Sequence, residues 1–187
     1  MGLNKLQPAR GRVLISDPAL EEFYFHRAVV LLTEFNEEGT VGFVLNKPME
    51  LTLGQAVSEL SYVDMPVFLG GPVGKENMFY LHTLGTLLPG SFEIIPGLWF
   101  GGEYQELKSL FLEGRVPENS IRFFIGYSGW SPGQLEEELE EKAWIVAQAR
   151  REWCFEAKPE NLWRNILKSM GSDYALLANF PEDPSLN

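Results

Sequence analysis

Between Phe25 and Pro48 the chain reads FHRAVVLLTEF, then Asn36-Glu37-Glu38-Gly39, then TVGFVLNKP. Two β-branched and aromatic runs joined by a polar connection ending in Gly are the signals of a β-hairpin. Next, Thr52 with Gln55 three residues on forms a capping box, and Ala56, Val57 and Leu60 follow at helical spacing, which predicts a short helix. Pro66-Val-Phe-Leu69 reads as a brief strand ended by Gly70-Gly71-Pro72. Met78–His82 and Phe92–Phe100 read as further strands set off by Pro and Gly. Glu103–Glu113 places Leu107, Leu110 and Phe111 on one face and stops at Gly114, which predicts a helix. Ile121–Tyr127 follows as a strand.

In GYSGWSPGQLEEELEEK, Ser131 is the expected N-cap, Pro132 the first helical residue and Gln134 the partner in a second capping box. Trp144–Ala149 suits a strand. Glu160–Met170, with Leu162, Trp163, Ile166 and Leu167 on one face and Gly171 after it, suits the last long helix. The Pro-rich remainder, 172–187, reads as a surface tail. Strands come early and consecutively while helices intrude later, so an α+β fold on a mainly antiparallel sheet is expected rather than a βαβ repeat.

No repeat, low-complexity block or Pro/Ser linker divides the 187 residues, so one domain over 1–187 is the expectation. A net charge of −11 repels phosphate backbones and anionic lipid alike, which disfavours direct nucleic-acid binding. The single cysteine, Cys154, can form no internal disulfide or multi-thiolate metal site, and this suits a reducing, cytoplasmic setting. The longest apolar run, Ala28–Leu32, falls far short of the ~20 residues of a membrane helix, and residues 1–11 contain no apolar leader core. No membrane association is expected.

Chemical motifs are few. Gly126-Tyr127-Ser128-Gly129 resembles a nucleophile elbow only in part, because Trp130 stands where G-x-S-x-G requires Gly. The bland reading is a tight strand-to-helix turn. Backbone N–H groups at 129–133 could alternatively hold an anion at the helix start, although Glu136, Glu137 and Glu138 oppose it. Asn46-Lys47-Pro48 brings an amide, an ammonium and a rigid turn to a strand end, where Asn46 either meets a ligand or satisfies its own turn. Gly70-Gly71-Pro72 lacks the phosphate-loop pattern despite Lys75 nearby. His26 and His82 lack a metal-ligand spacing, so no metal or other cofactor is expected. The five Glu within 136–141 read as a solvated face. Trp99, Trp144, Trp153 and Trp163 read as core, whereas Trp130 is either a lid over the core or a pocket wall.

Several segments together resemble the AlgH/YqgE family of small bacterial proteins: GRVLISDP at 11–18, FHRAVVLL at 25–32, GFVLNKP at 42–48, FLGGPV at 68–73, Leu81-His82 and GYSGWSPGQLE at 126–136. The resemblance runs from about Gly11 to Gly171. It implies a bacterial cytoplasmic protein with a bifurcated sheet folded into a pseudo-barrel and flanked by helices. The family is described as transcriptional regulators, and its biochemical activity is not established. Ser128 and Ser131 stand where Ala and Gly are common in it, which weakens any catalytic role for them.

The leading expectation is therefore a non-enzymatic binding or regulatory module for a small ligand or a protein partner. Its cleft would be lined by Asn46, Lys47, Gly70, Gly71, Ser128, Gly129, Trp130 and Gln134. Direct DNA binding through Arg10-Arg12, Arg150-Arg151 or the 160–170 helix is a second reading. An enzyme acting on a small anionic metabolite, with His26, Arg27 or His82 in acid/base roles, is a third.

Overall fold

The computed structural model describes residues 6–181. The chain lays down β1 (Arg12–Ser16), β2 (Val29–Asn36), β3 (Gly39–Val44) and β4 (Pro48–Thr52), then the one-turn helix α1 (Leu53–Ala56). β5 (Pro66–Leu69), β6 (Val73–His82), β7 (Ser91–Ile95) and β8 (Leu98–Gly101) precede α2 (Tyr104–Leu112). β9 (Ile121–Trp130), α3 (Gln134–Glu140), β10 (Trp144–Gln148), α4 (Leu162–Ser169) and α5 (Ser172–Leu177) complete the order. Ten strands join in the order β10-β1-β2-β3-β9-β6-β8-β7, with β4 and β5 branching off at β9. Every pairing is antiparallel except β5 with β9.

Alternation along the strands divides the apolar side chains between two faces. Val13, Ile15, Val29, Leu31, Phe43, Ile145 and Ala147 point into one cluster with Phe68, Phe124, Ile94 and Leu98. Leu14, Val30, Leu32, Val44 and Val146 point the other way, under Leu135 of α3 and Trp130. The sheet curls into a half-barrel until β7 meets the start of β1, where Arg10 Nη2 donates to the Glu93 carbonyl. Leu162, Trp163, Ile166 and Leu167 of α4 fill its concave face. Trp163 Nε1 anchors that helix by donating to Ser16 O at 2.9 Å. A third cluster lies under α1 and α2, around Leu53, Val67, Phe123, Leu107 and Leu110.

The expected hairpin is present as β2 and β3, but Phe25–Ala28 lies ahead of β2, with Phe25–Arg27 in turns. The Thr52/Gln55 capping box forms with both of its bonds. Three expectations are corrected. Phe92–Phe100 is a hairpin turning at Pro96-Gly97, since its aromatic residues face each other across β7 and β8, Phe92 opposite Phe100. α3 starts at Gln134 with Gly133 at its cap, and only the Gln134 half of the Ser131 box forms, Ser131 N–H donating to Gln134 Oε1 at 3.0 Å. The tail opens with α5, whose Leu177 packs on the barrel cluster, and 182–187 lie outside the described residues.

Candidate functional site

The motif segments of the sequence converge where the sheet forks. β9 exchanges one neighbour for another along its length. Phe123, Phe124 and Ile125 pair with Val67, Phe68 and Leu69 of β5, whereas Ser128, Gly129 and Trp130 pair with Gly42, Val41 and Thr40 of β3. Gly70 fills the gap between the two partners. Its N–H donates to Ile125 O at 2.9 Å, and its carbonyl accepts from Val44 N–H and from Ser128 Oγ, both at 3.0 Å. A Cβ on Gly70 would lie 2.3 Å from Gly126 O, and one on Gly71 would lie 2.3 Å from Tyr127 O. Gly126 adopts φ +68, and its Cβ would sit 2.6 Å from Gly71 O. These three residues are glycine because two backbones cross in contact.

Asn46 and Lys47 work on the opposite margin of the fork. Asn46 Oδ1 accepts from Val29 N–H at 2.9 Å and its Nδ2 donates to Arg27 O at 2.8 Å. Lys47 Nζ donates to His26 O at 2.6 Å, and burial pulls its pKa below the usual lysine value. Both side chains therefore hold the 26–29 segment, in which Arg27 has φ +48 and lies over the Trp163 ring at 4.9 Å. Asn46 satisfies a neighbouring segment and not its own turn.

Ser128-Gly129-Trp130 is the end of a strand and not a turn, so its side chains alternate. Ser128 and Trp130 are buried, Trp130 in the outer cluster, while half-buried Tyr127 leans on the barrel cluster and Gly129 is exposed. The Trp130 ring, 5% exposed, stacks near Phe25 and meets Trp144 edge-on. It is a lid over the outer core. The 136–141 acidic run is not wholly a solvated face either, because Glu138 is half-buried and Trp130 Nε1 and Trp144 Nε1 both donate to it.

Above this strand end lies a shallow groove of about 420 Å³. Glu34, Glu38, Val41, Val73, Tyr127, Gly129, Trp130, Ser131 and Pro132 contribute to its walls. Val73 is 40% exposed there. Of the eight residues expected from the sequence, Gly129 and Trp130 reach the groove. Asn46, Lys47, Gly70, Gly71 and Ser128 are not among its walls, and Gln134 is exposed on α3, bonded to Ser131 N–H and Glu138. Tyr127, Val73, Glu34 and Glu38 were not foreseen. The signal for Tyr127 was the strand period of two across GYSGW; Val73 reaches it through the Val73–Tyr127 pair of β6 and β9.

His82 and Cys154 are buried in the fold. His82 is fully buried, its Nε2 2.8 Å from Gly101 O and its Nδ1 accepting from Leu84 N–H at 3.2 Å, a pattern that calls for the neutral Nε2–H tautomer. Burial lowers its pKa. His26 Nδ1 lies 3.3 Å from Leu20 O. Burial pushes the Cys154 thiol up to about 12. Among the described residues no group of three or more His, Cys, Asp or Glu could hold a metal, and no helix is long and apolar enough to cross a membrane. Arg10 bonds Glu93 O and lies over Phe92, Arg12 bonds Gln7 O, Arg150 lies over Trp153, and Arg151 sits 3.9 Å from Glu152.

The AlgH-like family model matches residues 13–175. A UPF0301 protein from Chlorobaculum parvum is 42% identical over 177 residues, covering 95% of each chain. Another from Cytophaga hutchinsonii is 44% identical over 179 residues, covering 95% of this chain and 98% of its own. The solution structure of the AlgH protein from Pseudomonas aeruginosa shares 28% identity and a TM-score of 0.71, over 95% of this chain and 98% of that one. A crystal structure of a Corynebacterium diphtheriae protein reaches a TM-score of 0.79 over 95% of both chains at 23% identity, a likeness of fold alone.

Proposed function

The chain belongs to the AlgH-like family, and from that premise we propose that it is a non-enzymatic binding module whose groove above the fork takes a basic peptide segment of a partner protein. The observation that carries this reading is the composition of the groove. Exposed Val73 and half-buried Tyr127 supply apolar surface beside the open backbone of Gly129, and Glu34 and Glu38 stand on the rim. A Lys or Arg next to an aliphatic residue meets both features, whereas phosphate meets like charge on a molecule of net charge −11.

The frame favours binding over chemistry. Ser128 Oγ is fully buried and spent on Gly70 O, so the residue that most resembled a nucleophile is not offered to the groove. The rigid crossing of Gly70-Gly71 against Gly126-Tyr127 fixes Tyr127 and Gly129 relative to β3, which lowers the ordering cost of association. Regulation of transcription, the description attached to the family, would on this reading pass through a protein contact and not through duplex DNA.

Charge reversal tests the reading. The double variant Glu34→Lys/Glu38→Lys, two exposed positions remote from the glycine crossing, is expected to keep the wild-type melting temperature and lose binding of a Lys/Arg-rich peptide bearing Leu or Val. Salt should weaken the wild-type interaction, as it does for exposed charges. Unchanged binding by the double variant would refute the groove.

A further inference from the structure

A second site lies at the far end of β9, where Arg122 carries a charge onto the otherwise apolar inner face of the half-barrel. Its neighbour on that face is Phe124, and its guanidinium lies over the Phe68 ring, 4.1 Å from the centroid. Nη2 donates to Glu156 O at 3.0 Å. Nη1 is buried and has no hydrogen-bond partner, and among the described residues no carboxylate forms an ion pair with Arg122. A buried cationic donor with no protein acceptor is costly, because the hydrogen bond it makes in the unfolded chain is not replaced by one within the fold. Desolvation accordingly lowers its pKa to about 10, which still leaves it charged at neutral pH.

Arg122 lines a small chamber of about 80 Å³ whose other walls are Met65, Pro66, Asn119, Ile121 and Phe155. At ~30 Å³ per water, that is room for two to three waters, the size of one carboxylate or phosphoryl group. Asn119 and Phe155 also border a wider cleft of about 550 Å³, together with Thr83, Arg151 and Glu152. The larger cleft offers hydroxyl, amide and guanidinium groups and one carboxylate. Arg122 and Arg151 stand against Glu152 and the nearby Glu156, so the unpaired donor on Arg122, and not an excess of positive charge, is what suits one anionic group.

We infer that this two-chambered site binds a small molecule through one terminal oxyanion, seated against Arg122 in the inner chamber, with the rest of the molecule in the outer cleft beside Thr83 and Arg151. The oxyanion is a carboxylate or a phosphoryl group, both of which accept from a guanidinium by charge-assisted hydrogen bonds. The site is separate from the groove above the fork and does not depend on it.

The test titrates the full chain with sodium acetate, inorganic phosphate and chloride at equal ionic strength. Backbone amide shifts of Thr83, Ser120, Arg122 and Glu156 and the melting temperature are followed together. Saturable shifts at these amides with acetate or phosphate, absent with chloride, are expected, and the stronger of the two names the oxyanion. Arg122→Lys keeps the charge but loses the fork, and should bind about tenfold more weakly, the worth of one charge-assisted bond. Arg122→Met should abolish binding; if it does not fold, Arg122→Lys and the exposed Arg151→Gln, expected to weaken binding severalfold, decide the matter. Shifts equal to those in chloride, or undiminished affinity in Arg122→Lys, would overturn the inference.

Discussion

Trp130 and Trp144 aim their indole N–H groups at the same oxygen of Glu138, Oε2, at 3.0 and 2.7 Å. The rings themselves meet edge-on at 6.0 Å, and Glu138 Oε1 accepts from Gln134 Nε2 at 3.0 Å. One carboxylate thus ties α3 to the ends of β9 and β10. Glu138→Leu leaves two nearly buried donors unpaired and should cost about 2 to 6 kcal/mol, at about 1–3 kcal/mol per orphaned group. Trp130→Phe keeps the stacking and loses one bond, for about 1 kcal/mol. Urea midpoints of the two variants check this order; equal losses would contradict it.

Asn46→Ala removes the acceptor of Val29 N–H and the donor to Arg27 O together. A loss of about 2 to 4 kcal/mol is expected, with faster hydrogen exchange at Val29. Full stability combined with loss of a ligand would instead mark Asn46 as a binding residue.

Gly126→Ala combines a left-handed backbone with a Cβ 2.6 Å from Gly71 O and 2.9 Å from Val73 O. The two penalties together come to about 2 to 5 kcal/mol. Gly114, at φ +66 with nothing within 4 Å of its Cβ position, supplies the control. Gly114→Ala should cost only the backbone term, about 1 to 2 kcal/mol. Equal midpoints for the two variants would show that the crossing of the two backbones is not tight.

His82 sets a pH dependence. Burial lowers its pKa, so the folded chain keeps it neutral while the unfolded chain takes up a proton as the pH falls past about 6.5. The stability that depends on neutral His82 is therefore present in full above that value and is lost as pH falls from it toward the lowered folded value. His82→Gln retains a donor for Gly101 O and cannot titrate. Its urea midpoint should lie below that of the wild type at about pH 7.5 and change less on going to about pH 5.5. An undiminished change would assign the effect to another group.

The hairpin of β2 and β3 was legible because alternation and the NEEG connection are local signals, and the Thr52 box was legible for the same reason. GYSGW was misread as a turn because small residues dominate it. Its Gly126 answers to Gly71, more than fifty residues away, and no local pattern announces a backbone crossing. Phe92–Phe100 was misread because aromatic density outweighed one Pro-Gly pair. The residues of the candidate site divide in the same way. Gly129 and Trp130 lay in a visible motif, while Glu34, Glu38 and Val73 reach the groove only through the pairings of β2 with β3, β3 with β9, and β6 with β9.

The groove is tested most directly by amide shift mapping of the labelled protein with two peptides of identical apolar content, one carrying Lys and Arg and the other Glu at the same positions. The account predicts saturable shifts at Thr40, Val73, Tyr127 and Gly129 with the basic peptide alone, reduced by salt. Shifts confined to other surfaces, or an equal response to the acidic peptide, would contradict it.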